Sequence, residues 1–117
     1  MTKHLDRELD SLRSDLISQF GLVEHMILSA VRSLAERRSD LADEVISQDS
    51  IIDSNDIKFE EECLKLLALH QPVASSMRWL FTVVKVNNEI ERMADLACNI
   101  AERAKSIQQY PLFPVPE

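Results

Sequence analysis

"HQPVAS", residues 70–75, interrupts an otherwise helical pattern and decides how the chain doubles back. Proline has no backbone N–H and a fixed φ, so it suits the first position of a helix and not an interior. Pro72 is therefore expected to open a new helix, with Ser75 and Ser76 as helix-start residues rather than nucleophiles. Upstream, Leu41, Val45, Ile52, Phe59, Cys63, Leu66 and Leu67 recur at helical spacing up to about His70. Downstream, Val83, Val86, Ile90, Met93, Ala97, Ile100, Ala104 and Ile107 do the same and stop before "YPLFPVPE". Two long amphipathic helices joined by so short a turn must lie antiparallel.

Further towards the N-terminus, Leu5, Leu9, Leu12, Leu16, Phe20, Val23, Ile27, Val31 and Leu34 step by three and four and predict another helix. Gly21 falls inside it and is read as a close-packing position or a slight kink. "ERRSD", residues 36–40, is the first turn, with Ser39 or Asp40 as the expected cap of the next helix. Each helix has 30-odd residues, so each is roughly 50 Å long at 1.5 Å per residue. The expected fold is all-α: an elongated antiparallel up-down-up three-helix bundle. Residues 1–109 form the domain, and 110–117 form a Pro-rich C-terminal tail or the start of a linker.

Composition agrees. A chain of 117 residues is one domain, 45% hydrophobic and 28% charged, with one Gly and four Pro in all, three of these in the last seven residues. The net charge of −7 excludes a nucleic-acid partner, which demands a basic footprint, and favours bound cations or a basic protein surface. No apolar run approaches the ~18 residues of a membrane span, and "MTKHLDRELD" is not signal-like. The chain is expected to be cytoplasmic and not an integral membrane protein. Cys63 and Cys98 lack any CxxC pattern and read as small buried hydrophobes.

The charge is patterned. Residues equidistant from Pro72 share a height in the hairpin, so Glu91 mirrors Asp53, Asp95 mirrors Asp49, and Asn88 mirrors Asp56. The second helix offers Asp49, Asp53, Asp56 and Glu60 on one face; the third offers Asn88, Glu91, Asp95, Asn99 and Glu102. If the stripes face each other, the carboxylates cannot all stay ionised without cations, and hard oxygen-liganded metals are the remedy. The other reading is two solvated faces, with Arg92 and Lys58 pairing locally. His25 lies near the height of Asp49 across the first turn; it is either an exposed or partly packed histidine or an added imidazole ligand. Trp79 and Phe81 are core or interface aromatics. No Gly-rich phosphate loop and no nucleophile–base–orienter set is present. A di-iron oxidase needs Glu-x-x-His, and the residues three before His4, His25 and His70 are Met1, Leu22 and Leu67.

Residues 61–103 closely resemble the core of the PhoU family of phosphate-signalling proteins. "LLALHQPVAS", "NNEIERMAD" and "NIAER" follow in that family's order and spacing, and "DSIID" at 49–53 fits its second helix. With weaker matches in the first helix, the resemblance covers nearly the whole chain. It implies a three-helix bundle, usually present as two tandem repeats, of which 117 residues make one. It also implies metal motifs at Asp49 with Asp53 and at Glu91 with Asp95, loaded with an iron or zinc cluster or another divalent cation. Asp56, Glu60, Glu102 and His25 stand next in line as ligands. By resemblance the protein is not an enzyme. It is a negative regulator of phosphate uptake and phosphate-regulon signalling, whose partners are the ATPase subunit of the phosphate ABC transporter and a phosphate-sensing histidine kinase. The family usually has Asp where this chain has Ser76. A single repeat, lacking its tandem neighbour, is expected to form a homodimer or higher homo-oligomer. A structural helical interaction module with an incidental acidic face is the competing expectation.

Overall fold

The computed structural model describes residues 2–108 and residue 110, so the Pro-rich segment 111–117 lies outside the described residues. Three helices account for nearly all of them: α1 (Thr2–Ala35), α2 (Ser39–His70) and α3 (Ala74–Ile107). Each packs against both others in a rod of 62 × 26 × 15 Å. The up-down-up bundle is as the periodicity implies.

Both turns are built without glycine. Arg37 takes φ 53° and Gln71 φ 42°, the left-handed conformation that closes a helix. At the first turn the Arg38 N–H donates to Ser33 O at 2.9 Å, spanning the exposed end of α1. At the second, Gln71 N–H donates to Leu67 O at 3.3 Å, and Pro72 follows where it cannot prolong α2.

The expected helix starts are corrected by one or two residues. Arg38, not Ser39 or Asp40, is the N-cap of α2, and it caps through no side chain. The Ser39 hydroxyl instead reaches Gln108 at the end of α3, and Asp40 pairs with Arg38 at 2.6 Å. For Ser39 a tertiary partner has displaced the local cap, and Asp40 is held by its neighbour Arg38. Likewise Pro72 precedes α3 rather than opening it: Val73 is the N-cap, at φ −65° and ψ 165°.

The interior is two apolar clusters. One holds Val23, Met26, Ala30, Ala42, Val45, Ile52, Ile90, Ala94, Ala97, Cys98 and Ala101. Its alanines let the three helices approach closely around Met26 and Ile52, which are fully buried. The other, nearer the α2–α3 turn, holds Leu12, Phe59, Cys63, Leu66, Leu80 and Val83, with Trp79 half-buried against them. Between them lies a polar level. Buried Gln19 donates to Ile52 O at 3.2 Å and accepts from Asn55 at 3.0 Å, so its amide is satisfied.

Several members of the expected apolar stripes lie outside the core. Phe20, Val31 and Leu34 of α1, and Val86 and Ile107 of α3, are exposed. A stripe with steps of three and four drifts around the cylinder, and over more than thirty residues it outruns the face that two neighbours cover. Gly21 is exposed, and a Cβ there would meet nothing within 4 Å, so it is no close-packing position.

Candidate functional site

The register of α2 on α3 sets which carboxylates meet. The Cys98 thiol donates to Val45 O at 3.9 Å, and Asn87 Nδ2 donates to Asp56 Oδ1. Lys105 reaches Asp43 at 2.6 Å farther along. These contacts fold the hairpin about Pro72, and they bring the two acidic stripes to one seam. At the height of Asp56 the buried amide is Asn87, while Asn88 faces solvent.

Burial grades across the seam. Asp56 is buried, Asp49 and Glu91 are half-buried, and Asp53, Asp95 and Glu102 are exposed. The inner members feel the crowding. Glu91 is pushed up to about 7, first by burial, then by a hydrogen bond to Asp56 and by the charges of Asp56, Asp95 and Asp53. Two carboxyls so placed hold one proton more tightly than either would alone. Asp49 is raised too, first by burial, then by Asp53, with Asp95 and Glu102 adding and the nearby Cys98 thiol opposing. Each helix's carboxylates therefore act on the other's, as they would if the stripes face one another and not if they are separate solvated faces.

Two observations test whether cations suit these residues. Asp49 Oδ1 is buried and has no hydrogen-bond partner. Among the described residues, no Lys, Arg or His nitrogen comes within 4.0 Å of Asp49, Asp53, Asp56, Glu91 or Asp95. Arg92, expected to pair locally, turns to Glu89 at 3.6 Å. Lys58 lines a cleft with Asp15, Ser18 and Gln19. An all-oxygen donor row with uncompensated charge fits hard and borderline cations. It is an open row: among the described residues no three of these carboxylates bring one oxygen each within 4.8 Å.

The other candidates fall to either side. Glu102 acts on Asp49 and on Cys98 and so extends the seam. Glu60 acts on Cys63 and borders an apolar groove with Leu64, Met77 and Phe81. His25 is exposed and faces Glu44 at 3.9 Å. Cys98 is the seam residue that periodicity misses. Its thiol is pushed up to about 12 by burial and then by Asp49, so it remains protonated. Its place opposite Asp49 is legible only once the hairpin register is known.

The family model for the PhoU domain matches residues 16–104 of this chain. The chain belongs to the PhoU family. It is 35% identical over 111 residues to the phosphate-specific transport system accessory protein PhoU homolog of Deinococcus radiodurans, covering 95% of this chain and 52% of that one. It is 31% identical over 120 residues to the PhoU accessory protein of Escherichia coli K12, covering 97% and 50%. The crystal structure of PhoU from Pseudomonas aeruginosa superposes with a TM-score of 0.86 at 35% identity, over 89% of this chain and 50% of that one. The phosphate transport system regulatory protein PhoU from Streptococcus pneumoniae superposes with a TM-score of 0.85 at 26% identity, over 94% of this chain and 52% of that one. This PhoU chain thus spans about half the length of the relatives it matches. Among the described residues of this PhoU chain, no helix is long and apolar enough to cross a membrane.

Proposed function

We propose that this chain is a metal-binding regulatory adaptor of phosphate homeostasis that restrains phosphate uptake and phosphate-regulon signalling. It is not an enzyme in this reading. It works in the cytoplasm, against the ATPase subunit of the phosphate transporter and the phosphate-sensing kinase. The observation that carries the metal half is the α2–α3 seam, where Asp49 has an orphaned buried oxygen and Glu91 is raised by burial and then by neighbouring carboxyls, with no basic residue to relieve them. Asp49, Asp53, Glu91 and Asp95 are the assigned ligands, with Asp56 and Glu102 supporting. Iron or zinc, when bound, supplies positive charge that lets the carboxylates ionise together and ties α2 to α3. The regulatory half follows the names of the relatives.

Purified chain stripped with chelator is expected to bind iron or zinc, and its melting temperature to rise with added metal by mass action. The double variant Glu91→Gln, Asp95→Asn should be at least as stable as wild type in chelator and gain less from metal than wild type does. Equal responses in the two proteins would remove these ligands from the assignment and favour a purely structural interaction module. In cells, loss of the chain should raise phosphate uptake, and the double variant should fail to restore restraint; full restoration by that variant would separate regulation from the seam.

A second copy of the chain is the proposed partner of its open apolar surface. Ile17, Phe20, Leu28, Val31 and Leu34 on α1 and Leu96 and Ile107 on α3 are exposed in a unit that spans half of its relatives. Light scattering at micromolar concentration should give twice the chain mass or more; a monomer mass overturns this assembly.

A further inference from the structure

Away from the seam, the end of the bundle where α2 turns towards α3 carries a different set of donors. His4 and Glu8 stand one turn apart on α1, and His70 is the last residue of α2. His70 Nε2 lies 2.8 Å from Glu8 Oε2, and His4 Nε2 lies 3.3 Å from Glu8 Oε1. The imidazole centroids are 5.5 Å apart with the rings tilted at 52°. Taking one donor atom from each residue, all three lie within 4.8 Å of one another, the one such group among the described residues. The His70 side chain is 7% exposed, that of Glu8 34% and that of His4 66%, so the group is walled on its inner side and open on its outer.

We propose that His4, Glu8 and His70 form a zinc-type site that joins the start of α1 to the end of α2 and leaves one coordination position facing solvent. Two imidazoles and one carboxylate are a ligand set zinc takes with a fourth position open. Around a tetrahedral zinc with bonds of about 2.0–2.2 Å, neighbouring donors sit roughly 3.3 Å apart. The imidazoles approach one carboxylate oxygen each, His70 at 2.8 Å from Oε2 and His4 at 3.3 Å from Oε1, with one donor from each residue within 4.8 Å of the others, so a small rotation of exposed His4 brings the three donors to that spacing. The i, i+4 pair on α1 puts two ligands on one helical face, as metal-binding helices do. His70, with its side chain almost wholly buried, supplies the fixed third ligand from another helix.

Chemistry separates this site from the acidic row. This site offers imidazole nitrogens, which suit zinc, copper and nickel, whereas the acidic row offers oxygen donors alone. The site therefore stands or falls apart from the seam. It also crosses a long sequence interval, since Glu8 and His70 are 62 residues apart. A metal there stitches α1 to the α2–α3 hairpin where no turn joins them.

Chelator-stripped full chain titrated with cobalt(II) is expected to show the intense visible bands of tetrahedral coordination, quenched by zinc. His4→Gln should weaken zinc binding at this site at least tenfold while the apo variant melts like wild type, because His4 is exposed. His70→Gln should do the same, and its apo melting curve checks that the bundle survives. A protein carrying Asp49→Asn, Asp53→Asn, Glu91→Gln and Asp95→Asn together should keep the cobalt spectrum. Absence of tetrahedral bands, or bands unchanged in His4→Gln, overturns the site and leaves Glu8 as a hydrogen-bonded bridge between two histidines. Loss of the bands in the four-acid variant with His4→Gln silent assigns the metal to the seam instead.

Discussion

In the seam Glu91 is surrounded by acids on both helices, and the sign of its effect on stability follows from the direction of its shift. Its folded pKa of about 7 lies above the ordinary 4.5, so the folded state holds the proton more tightly than the unfolded chain does. The stabilisation is fully present below pH 4.5 and is lost as pH rises through about 7. Asp49 is shifted in the same direction. Glu36 and Asp40, lowered chiefly by hydrogen bonds from Arg32 and Arg38, act in the opposite sense at more acid pH and leave this window to the seam. In chelator, the melting temperature is therefore expected to fall between pH 5 and pH 8, and Glu91→Gln should flatten the slope. Thermal melts of the two proteins across that range check it; parallel slopes would mean that Glu91 ionises freely.

At the scale of the helices, the turns hold removable strain. Gln71 is a side-chain-bearing residue at φ 42°, a region where a Cβ crowds the following carbonyl at a cost of about 1–2 kcal/mol. Glycine removes that crowding but has more unfolded-state freedom to lose, so Gln71→Gly should stabilise by about 0.5–1 kcal/mol net. Chemical denaturation should show the higher midpoint with an unchanged slope. A lower midpoint would mean that the Gln71 side chain makes contacts worth more than its strain.

The turns also show what a sequence can disclose. Proline, the charged "ERRSD" segment and three-four periodicity locate all three helices, because those signals are local. Cap choice was not local: Ser39 was drawn to Gln108, 69 residues away, and α2 was left with Arg38 at its cap. The paired acidic stripes were legible because reflection about Pro72 is arithmetic on the hairpin. Which rungs are buried was not, because a shift of one residue puts Asn87 rather than Asn88 against Asp56. The His4–Glu8–His70 group spans α1 and α2, so it needs the packing of those two helices, which periodicity leaves open.

The whole molecule is a thin rod, and its apolar interior is divided between the cluster around Met26 and Ile52 and the cluster around Phe59 and Leu66. The level between them is occupied by Gln19, Asn55, Asp56 and Asn87, where Gln19 donates to Ile52 O, Asn55 donates to Gln19 and Asn87 donates to Asp56. Such a layer gives the two ends separate reasons to stay closed. Placed in heavy water, the chain should exchange its backbone amides on two clocks. Those of α2 beside Phe59, Cys63 and Leu66 open with the looser end, and those beside Val45 and Ile52, whose side chains are fully buried, open only with global unfolding. Mass spectrometry of peptides from the two halves of α2 resolves the two rates, and a single common rate would mean that the polar level transmits unfolding from end to end. Iron or zinc along Asp49, Asp53 and Glu91 would bind beside the slow half, so it would slow that clock and leave the looser end's running, and metal occupancy would be written in the ratio of the two rates.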